Sequence, residues 1–445
     1  MKIFKRVLFL LLLIIAIVVY INYPKLNIIS GYASKYMASS VLISERSDSS
    51  IIANDLNIPL VKLATTHFNT SKGEASSSVY GLMNRKTINR QGLGAVLTNS
   101  SHPEDEIYIQ PARTKSKIAK PYPYGHLKPR DTIFPEVDYN LLQKAVAIAF
   151  ENNETQKTRT LLVLYKGHLL TEHYIDGFTK DTPILGWSMT KSVLATCFGV
   201  LEYKGKLVMD WSAPIAEWKN DERKEITLNH LLRMQSGLEW DEDYTTISDA
   251  TKMLFLEDDM TKSQRIKKTI AKPTEIWNYS SGTTNLLSGI LQQQFRSKQE
   301  YLDFPYAEFI DKIGAHSMLL EADLKGNYVG SSYGWANTRD WARIGQLYLN
   351  KGNWNDEQLF NESWVNYITT PTKFSNGRYG AHFWLNANGF YPDAPKDLYS
   401  MNGFQGQYVF IIPSKDIVIV RTGLAEHPTF DANHFLASLI AAISE

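Results

Sequence analysis

Two pairs of apolar, β-branched runs stand far apart in this chain. Residues 160–165 and 168–174, joined by Lys166-Gly167, read as one hairpin, and residues 407–413 and 417–421, around Ser414-Lys415-Asp416, read as another. Between them the pattern turns helical, over residues 188–204, 227–234, 283–295, 301–313 and 337–350, and a last helical pattern covers 432–443. Asn337, with Asp340 three residues on, looks like the cap of its helix. Strands at both ends with helices between them predict an α+β fold. One antiparallel sheet is flanked by helices and interrupted by a mostly helical insertion.

The chain has 445 residues, 44% of them hydrophobic, enough for a large core. Its 47 basic and 46 acidic side chains leave a net charge of +1, and no basic tract beyond the first few residues could neutralise a phosphate backbone. Nucleic acid is therefore not an expected partner. The single cysteine, Cys197, has no disulfide partner and no neighbours at metal-ligand spacing, so no metal or cofactor is expected.

Residues 1–24 behave differently. Lys2, Lys5 and Arg6 precede an unbroken apolar run, 7–21, ended by Asn22-Tyr23-Pro24. Fifteen helical residues span about 22 Å, which suits a short membrane anchor or a signal segment. No small-x-small cleavage site follows Ile21 directly, and the nearest small residues are Gly31 and Ala33. An uncleaved, single-pass anchor is expected, with its basic flank placing the rest of the chain outside the cytoplasm. Residues 25–130, rich in Ser, Thr, Asn and Pro, read as an irregular extension with a few short strands. Residues 131–445 read as the main domain.

The chemistry concentrates in Gly186-Trp187-Ser188-Met189-Thr190-Lys191-Ser192. On a helix, positions three apart share a face, so the Ser188 hydroxyl and the Lys191 amine can meet. A hydroxyl needs a base to become a nucleophile, and a lysine becomes that base when burial lowers its pKa. Trp187, Met189, Val193 and Leu194 supply apolar surroundings, and unpaired N–H groups at a helix start can stabilise an oxyanion. A helix-capping serine followed by a surface lysine would need no function at all. Competing signatures are absent: there is no Gly-x-Ser-x-Gly elbow, no His-Glu-x-x-His helix and no phosphate loop. Downstream, Tyr279 sits in a turn feeding a helix, where a phenol near a lysine could shuttle protons.

Taken in order, residues 187–192, 226–238, Tyr279-Ser280-Ser281, 337–348 and Gly403-Phe404-Gln405-Gly406-Gln407 resemble the serine β-lactamase-related hydrolases. That family includes class C β-lactamases, D,D-peptidases, family VIII esterases and 6-aminohexanoate-dimer hydrolases, and the last group looks closest. The resemblance covers most of residues 130–440 and implies the β-lactamase/penicillin-binding-protein fold. It implies Ser188 as nucleophile, Lys191 as the base in acylation and Tyr279 as the acid/base that protonates the leaving group. It places the oxyanion hole at the backbone N–H groups of Ser188 and Phe404, with Gly403 letting substrate approach the backbone closely. Ser281 stands where class C enzymes have an asparagine, and Tyr244, at the pocket rim, is assigned to substrate binding, although a loop aromatic covering the core would look the same.

The third motif, Lys-Thr-Gly in β-lactamases, is Met401-Asn402-Gly403 here. Without that cation, unless Lys396 reaches in, recognition of a β-lactam or a peptide carboxylate should be weak. A small-molecule amide or ester is the expected substrate. A D,D-peptidase, a weak β-lactamase or a non-catalytic penicillin-recognition protein are the alternatives. His230 and Met234 are expected in the core, Cys197 is expected buried, and Asp340–Arg343 is expected to be a structural ion pair.

Overall fold

The structure is a computed structural model that describes residues 2–98, 108–425 and 430–443. Residues 99–107, inside the N-terminal stretch, lie outside the described residues.

The strands, in chain order, are β1 (Ala64–Asn69), β2 (Glu74–Val79), β3 (Leu82–Arg90), β4 (Gly94–Thr98), β5 (Thr158–Tyr165), β6 (His168–Tyr174), β7 (Ile184–Leu185), β8 (Leu319–Leu320), β9 (Gly334–Ala336), β10 (Asn353–Trp354), β11 (Glu357–Gln358), β12 (Trp384–Leu385), β13 (Tyr399–Gly403), β14 (Gln407–Ile412) and β15 (Ile417–Gly423). The principal sheet has the order β12-β13-β14-β15-β5-β6, and every pair in it is antiparallel. The two predicted hairpins are thus joined through β15 and β5, with Ile419 opposite Val163. Residues 158–165 and 417–423 are buried throughout, because helices cover both faces. One face packs under helices Tyr139–Phe150 and Ala432–Ala441, and the other under Thr338–Leu349, whose Gly345 comes within van der Waals contact of β14 and β15.

The predicted helices appear at Met189–Tyr203, Leu228–Leu232, Ser281–Gln292, Thr338–Leu349 and Ala432–Ala441. Asn337 caps its helix by accepting from the Asp340 N–H at 2.8 Å. The pattern over 301–313 is shared between an α-helix, Lys298–Pro305, and a π-helical turn, Tyr306–Ile310. Pro305 lacks the N–H that would continue the ladder, and the hydrogen bonds re-register beyond it. Cys197 is buried, Asp340 pairs with Arg343, and Met234 lies in the core, whereas His230 is half-buried and caps Leu228–Leu232 together with Thr227.

As far as Thr98 the N-terminal third is more regular than the expected irregular extension with a few short strands, whereas residues 108–130 carry no helix or strand. The first helix, α1, runs unbroken from Lys2 to Ser44, through Pro24, where the sequence had signalled a stop. Residues 64–98 form a four-stranded antiparallel meander, β1-β2-β3-β4. Tertiary packing overrides the ~3 kcal/mol helix penalty of a proline here. From Ile29 onward α1 lies against the meander and the main domain: Ala33, Met37 and Ala38 are fully buried, and the Ser34 hydroxyl donates to the Ala75 carbonyl at 3.1 Å. Lys35 forms a buried ion pair with Glu321 at 2.7 Å. The first half of α1 is exposed and apolar, and by length and composition it can cross a membrane.

Candidate active site

Gly186 and Gly403 bring two segments together. A Cβ on Gly403 would lie 2.1 Å from the Gly186 carbonyl oxygen, and one on Gly186 would lie 2.3 Å from the Trp341 ring, so only glycine lets the end of β13 abut the turn that leads into helix Met189–Tyr203. Trp187 follows with φ of +48°, a left-handed conformation that side chains rarely adopt. Ser188 then caps helix Met189–Tyr203. Among the described residues, no acceptor is seen for the backbone N–H of Ser188 or of Phe404.

Lys191, 2% exposed, points back along the helix. Its Nζ lies 2.9 Å from each of three oxygens: Ser188 Oγ, Ser281 Oγ and the Ser331 carbonyl. Burial pulls its pKa down to about 8, against the opposing pull of the Glu242 carboxylate. The Tyr279 ring centroid lies 4.9 Å from Lys191 Nζ, and its phenol is close enough to Ser188 to feel that hydroxyl electrostatically. Burial, and then Glu242, push the Tyr279 phenol well above its ordinary value. Tyr279 is held in an aromatic wall by Trp384 at 5.4 Å and Tyr379 at 5.8 Å.

The structure therefore brings Ser188, Lys191, Tyr279 and Ser281 into one cluster, with Gly403 and Phe404 on its edge. Tyr244 is also there: its hydroxyl lies 3.2 Å from Ser281 Oγ and its ring stacks on Phe404 at 5.4 Å. Of the third motif, Met401 is fully buried in the core and Asn402 is half-buried, so no cation stands at the position of the family lysine. Lys396 is solvent-exposed on the loop before β13.

One residue escaped the sequence reading. Glu242 accepts hydrogen bonds from the Ser281 N–H at 2.8 Å, the Ser281 hydroxyl, the Tyr244 hydroxyl at 2.7 Å and Trp240 Nε1. It is linked to Lys191 through a single hydroxyl, that of Ser281. The only signal was an acidic residue two before the rim tyrosine, in a loop already rich in acids. Helix Asp249–Leu256, which folds that loop back, was equally unread. Among the described residues no group of three or more His, Cys, Asp or Glu is arranged to hold a metal ion.

Comparison with known proteins agrees with this architecture. The beta-lactamase family matches residues 150–441. The chain is 23% identical over 310 residues to a 6-aminohexanoate-dimer hydrolase of Paenarthrobacter ureafaciens, covering 62% of this chain and 75% of the relative. A structure from Bacillus anthracis assigned to the 6-aminohexanoate-dimer hydrolases superposes with a TM-score of 0.57 at 21% identity, covering 66% of this chain and 80% of the other. A family VIII carboxylesterase superposes at 0.54 with 15% identity, covering 71% of this chain and all of the esterase. By fold and by the matched span, the chain belongs to the beta-lactamase family of serine hydrolases.

Proposed function

We propose that this protein cleaves a carboxylic amide or ester through an acyl-enzyme on Ser188. The observation that carries the reading is the buried Lys191 amine 2.9 Å from the Ser188 hydroxyl, with the Tyr279 ring 4.9 Å from that amine. A neutral amine has two N–H groups and one lone pair. With the N–H groups engaged by Ser281 Oγ and the Ser331 carbonyl, the lone pair faces Ser188. Lys191 takes the Ser188 proton as Oγ attacks the carbonyl carbon. The N–H groups of Ser188 and Phe404 receive the developing oxyanion. Tyr279 gives its proton to the leaving amine or alcohol and regains one from Lys191, and the same pair then deprotonates the water that releases the acid. Burial, and then Glu242, keep Tyr279 protonated, which leaves Lys191 as the base.

The absence of a cation at Met401 argues for substrates other than β-lactams. The Paenarthrobacter relative, named for the 6-aminohexanoate dimer, points to an amide between flexible aliphatic groups. The exposed half of α1 supports a membrane-anchored enzyme with its catalytic domain outside the cytoplasm. A fluorophosphonate probe tests the nucleophile: labelling of the wild type and none of Ser188→Ala is expected, and equal labelling of both overturns the reading. A short-chain nitrophenyl ester assayed beside a chromogenic cephalosporin separates the hydrolase from a lactamase.

A further inference from the structure

Trp187 carries an unexplained cost. A tryptophan at φ of +48° is strained, and such strain persists only where the surroundings over-determine it. Here the surroundings include α1. The Trp187 ring lies 6.2 Å from Tyr32 and 6.3 Å from Tyr36, near-parallel to both, and those two rings stack on each other at 5.8 Å. On its far side Trp187 meets Phe404 edge-on at 5.6 Å, and Phe404 stacks on Tyr244. An aromatic chain thus runs from α1, past the residue before the nucleophile, to the second oxyanion donor and the pocket rim.

The clamp is itself fixed. The Tyr36 hydroxyl donates to Asp55 at 2.8 Å, and Asp55 also holds Arg46 at 2.6 Å and Arg159 at 2.7 Å. At the preceding residue the buried Lys35–Glu321 pair ties α1 to the segment beside β8, and Glu321 also accepts from Trp335 Nε1 at 2.7 Å. The Ser44 hydroxyl donates to the Pro183 carbonyl at 2.6 Å, just before β7. The α1 residues, Arg46 and Asp55 lie upstream of the span that matches the beta-lactamase family, which begins at residue 150, whereas their partners Arg159, Pro183 and Glu321 lie inside it.

On the acyl-enzyme reading above, we propose that the buried half of α1 is a working part of the hydrolase: Tyr32 and Tyr36 clamp the Trp187 ring and so hold the Ser188 hydroxyl and N–H in register. They are positioning residues, and the enzyme works only with this helix retained. Gly31 and Ala33, the nearest small residues to the apolar run, lie inside the packed helix. Cleavage beside them would cut α1 within its packed half, and cleavage after Ala33 would remove Tyr32.

The test uses the full chain in detergent, with fluorophosphonate labelling rate and melting temperature read in parallel. A Tyr32→Ala/Tyr36→Ala variant should label roughly tenfold or more slowly, the size expected when a nucleophile is misplaced by a fraction of an ångström. Tyr32→Phe/Tyr36→Phe keeps both rings but loses the Asp55 bond, and should melt lower while labelling close to the wild-type rate. Ile51→Ala opens a cavity in the same core, outside the ring stack, and should also melt lower without slowing labelling. If the alanine pair labels at the wild-type rate, or if all three variants lose labelling in proportion to melting temperature, the positioning role is overturned. A fully active protein whose native N-terminus, by mass spectrometry, lies beyond Ala33 also overturns it. If the wild type fails to label at all, the acyl-enzyme reading fails instead, and the two failures are distinct.

Discussion

Among the described residues two lysines are buried, and they do opposite things. Lys35 meets a carboxylate directly, Glu321 at 2.7 Å, and that carboxylate is further satisfied by Ser39, Ala95 and Trp335. Lys191 meets two hydroxyls and a carbonyl, while its carboxylate, Glu242, stands one hydroxyl away. Burial costs both amines their charged form, but at Lys35 a contact ion pair opposes the cost, whereas at Lys191 only the more distant Glu242 does. The first arrangement fixes a helix to a domain. The second leaves an amine close to neutrality, which is what a base requires.

The sharpest way to break this comparison is to remove each amine. Lys191→Ala should cut ester hydrolysis on the order of 10³-fold, with the fold retained by circular dichroism. Loss of less than tenfold would make Lys191 structural. Lys35→Met should instead cost about 3–5 kcal/mol in urea unfolding, because it strands the Glu321 charge in the interior. Adding Glu321→Gln should recover much of that loss, and no recovery would mean that the pair is not what α1 depends on.

Titration sharpens the contrast. A base with a pKa of about 8 is only about one-tenth neutral at pH 7, so kcat/KM should rise almost tenfold per pH unit and level off above pH 8. Glu242 raises the Lys191 pKa, so Glu242→Gln should move that rising limb to lower pH; a limb unmoved or moved upward contradicts the assignment. The smallest effect is expected from Tyr244→Phe, which keeps the stack on Phe404 and loses one hydroxyl, a change of about 0.5–1.5 kcal/mol in kcat/KM.

The parts that were legible in the sequence are those with a local signature. The β5–β6 and β14–β15 hairpins announced themselves by β-branched runs around turns, and helix Thr338–Leu349 by its cap. Ser188 and Lys191 were legible because helical geometry alone places residues three apart on one face. Tyr279, Ser281 and Phe404 were reached through resemblance, since nothing local ties a tyrosine ninety-one residues downstream to the nucleophile. Glu242 was missed for the same reason: its meaning lies in its bond to Ser281. The meander over 64–98 was read only as a few short strands without position or pairing, because those strands alternate weakly and are rich in Ser and Thr, and α1 was cut short because a proline outweighs any local signal for continuing.

By itself, the sequence determined an α+β chain with an apolar N-terminal helix, two hairpins that must meet in one sheet, and a serine and a lysine one helical turn apart. Only the tertiary structure decided that this lysine is dry, that its nearest carboxylate is held off by a hydroxyl, and that residues far upstream press against the tryptophan before Ser188. The physical reason is that periodicity reports a residue's own element, whereas a pKa and a strained backbone are set by whatever other elements the fold brings against it.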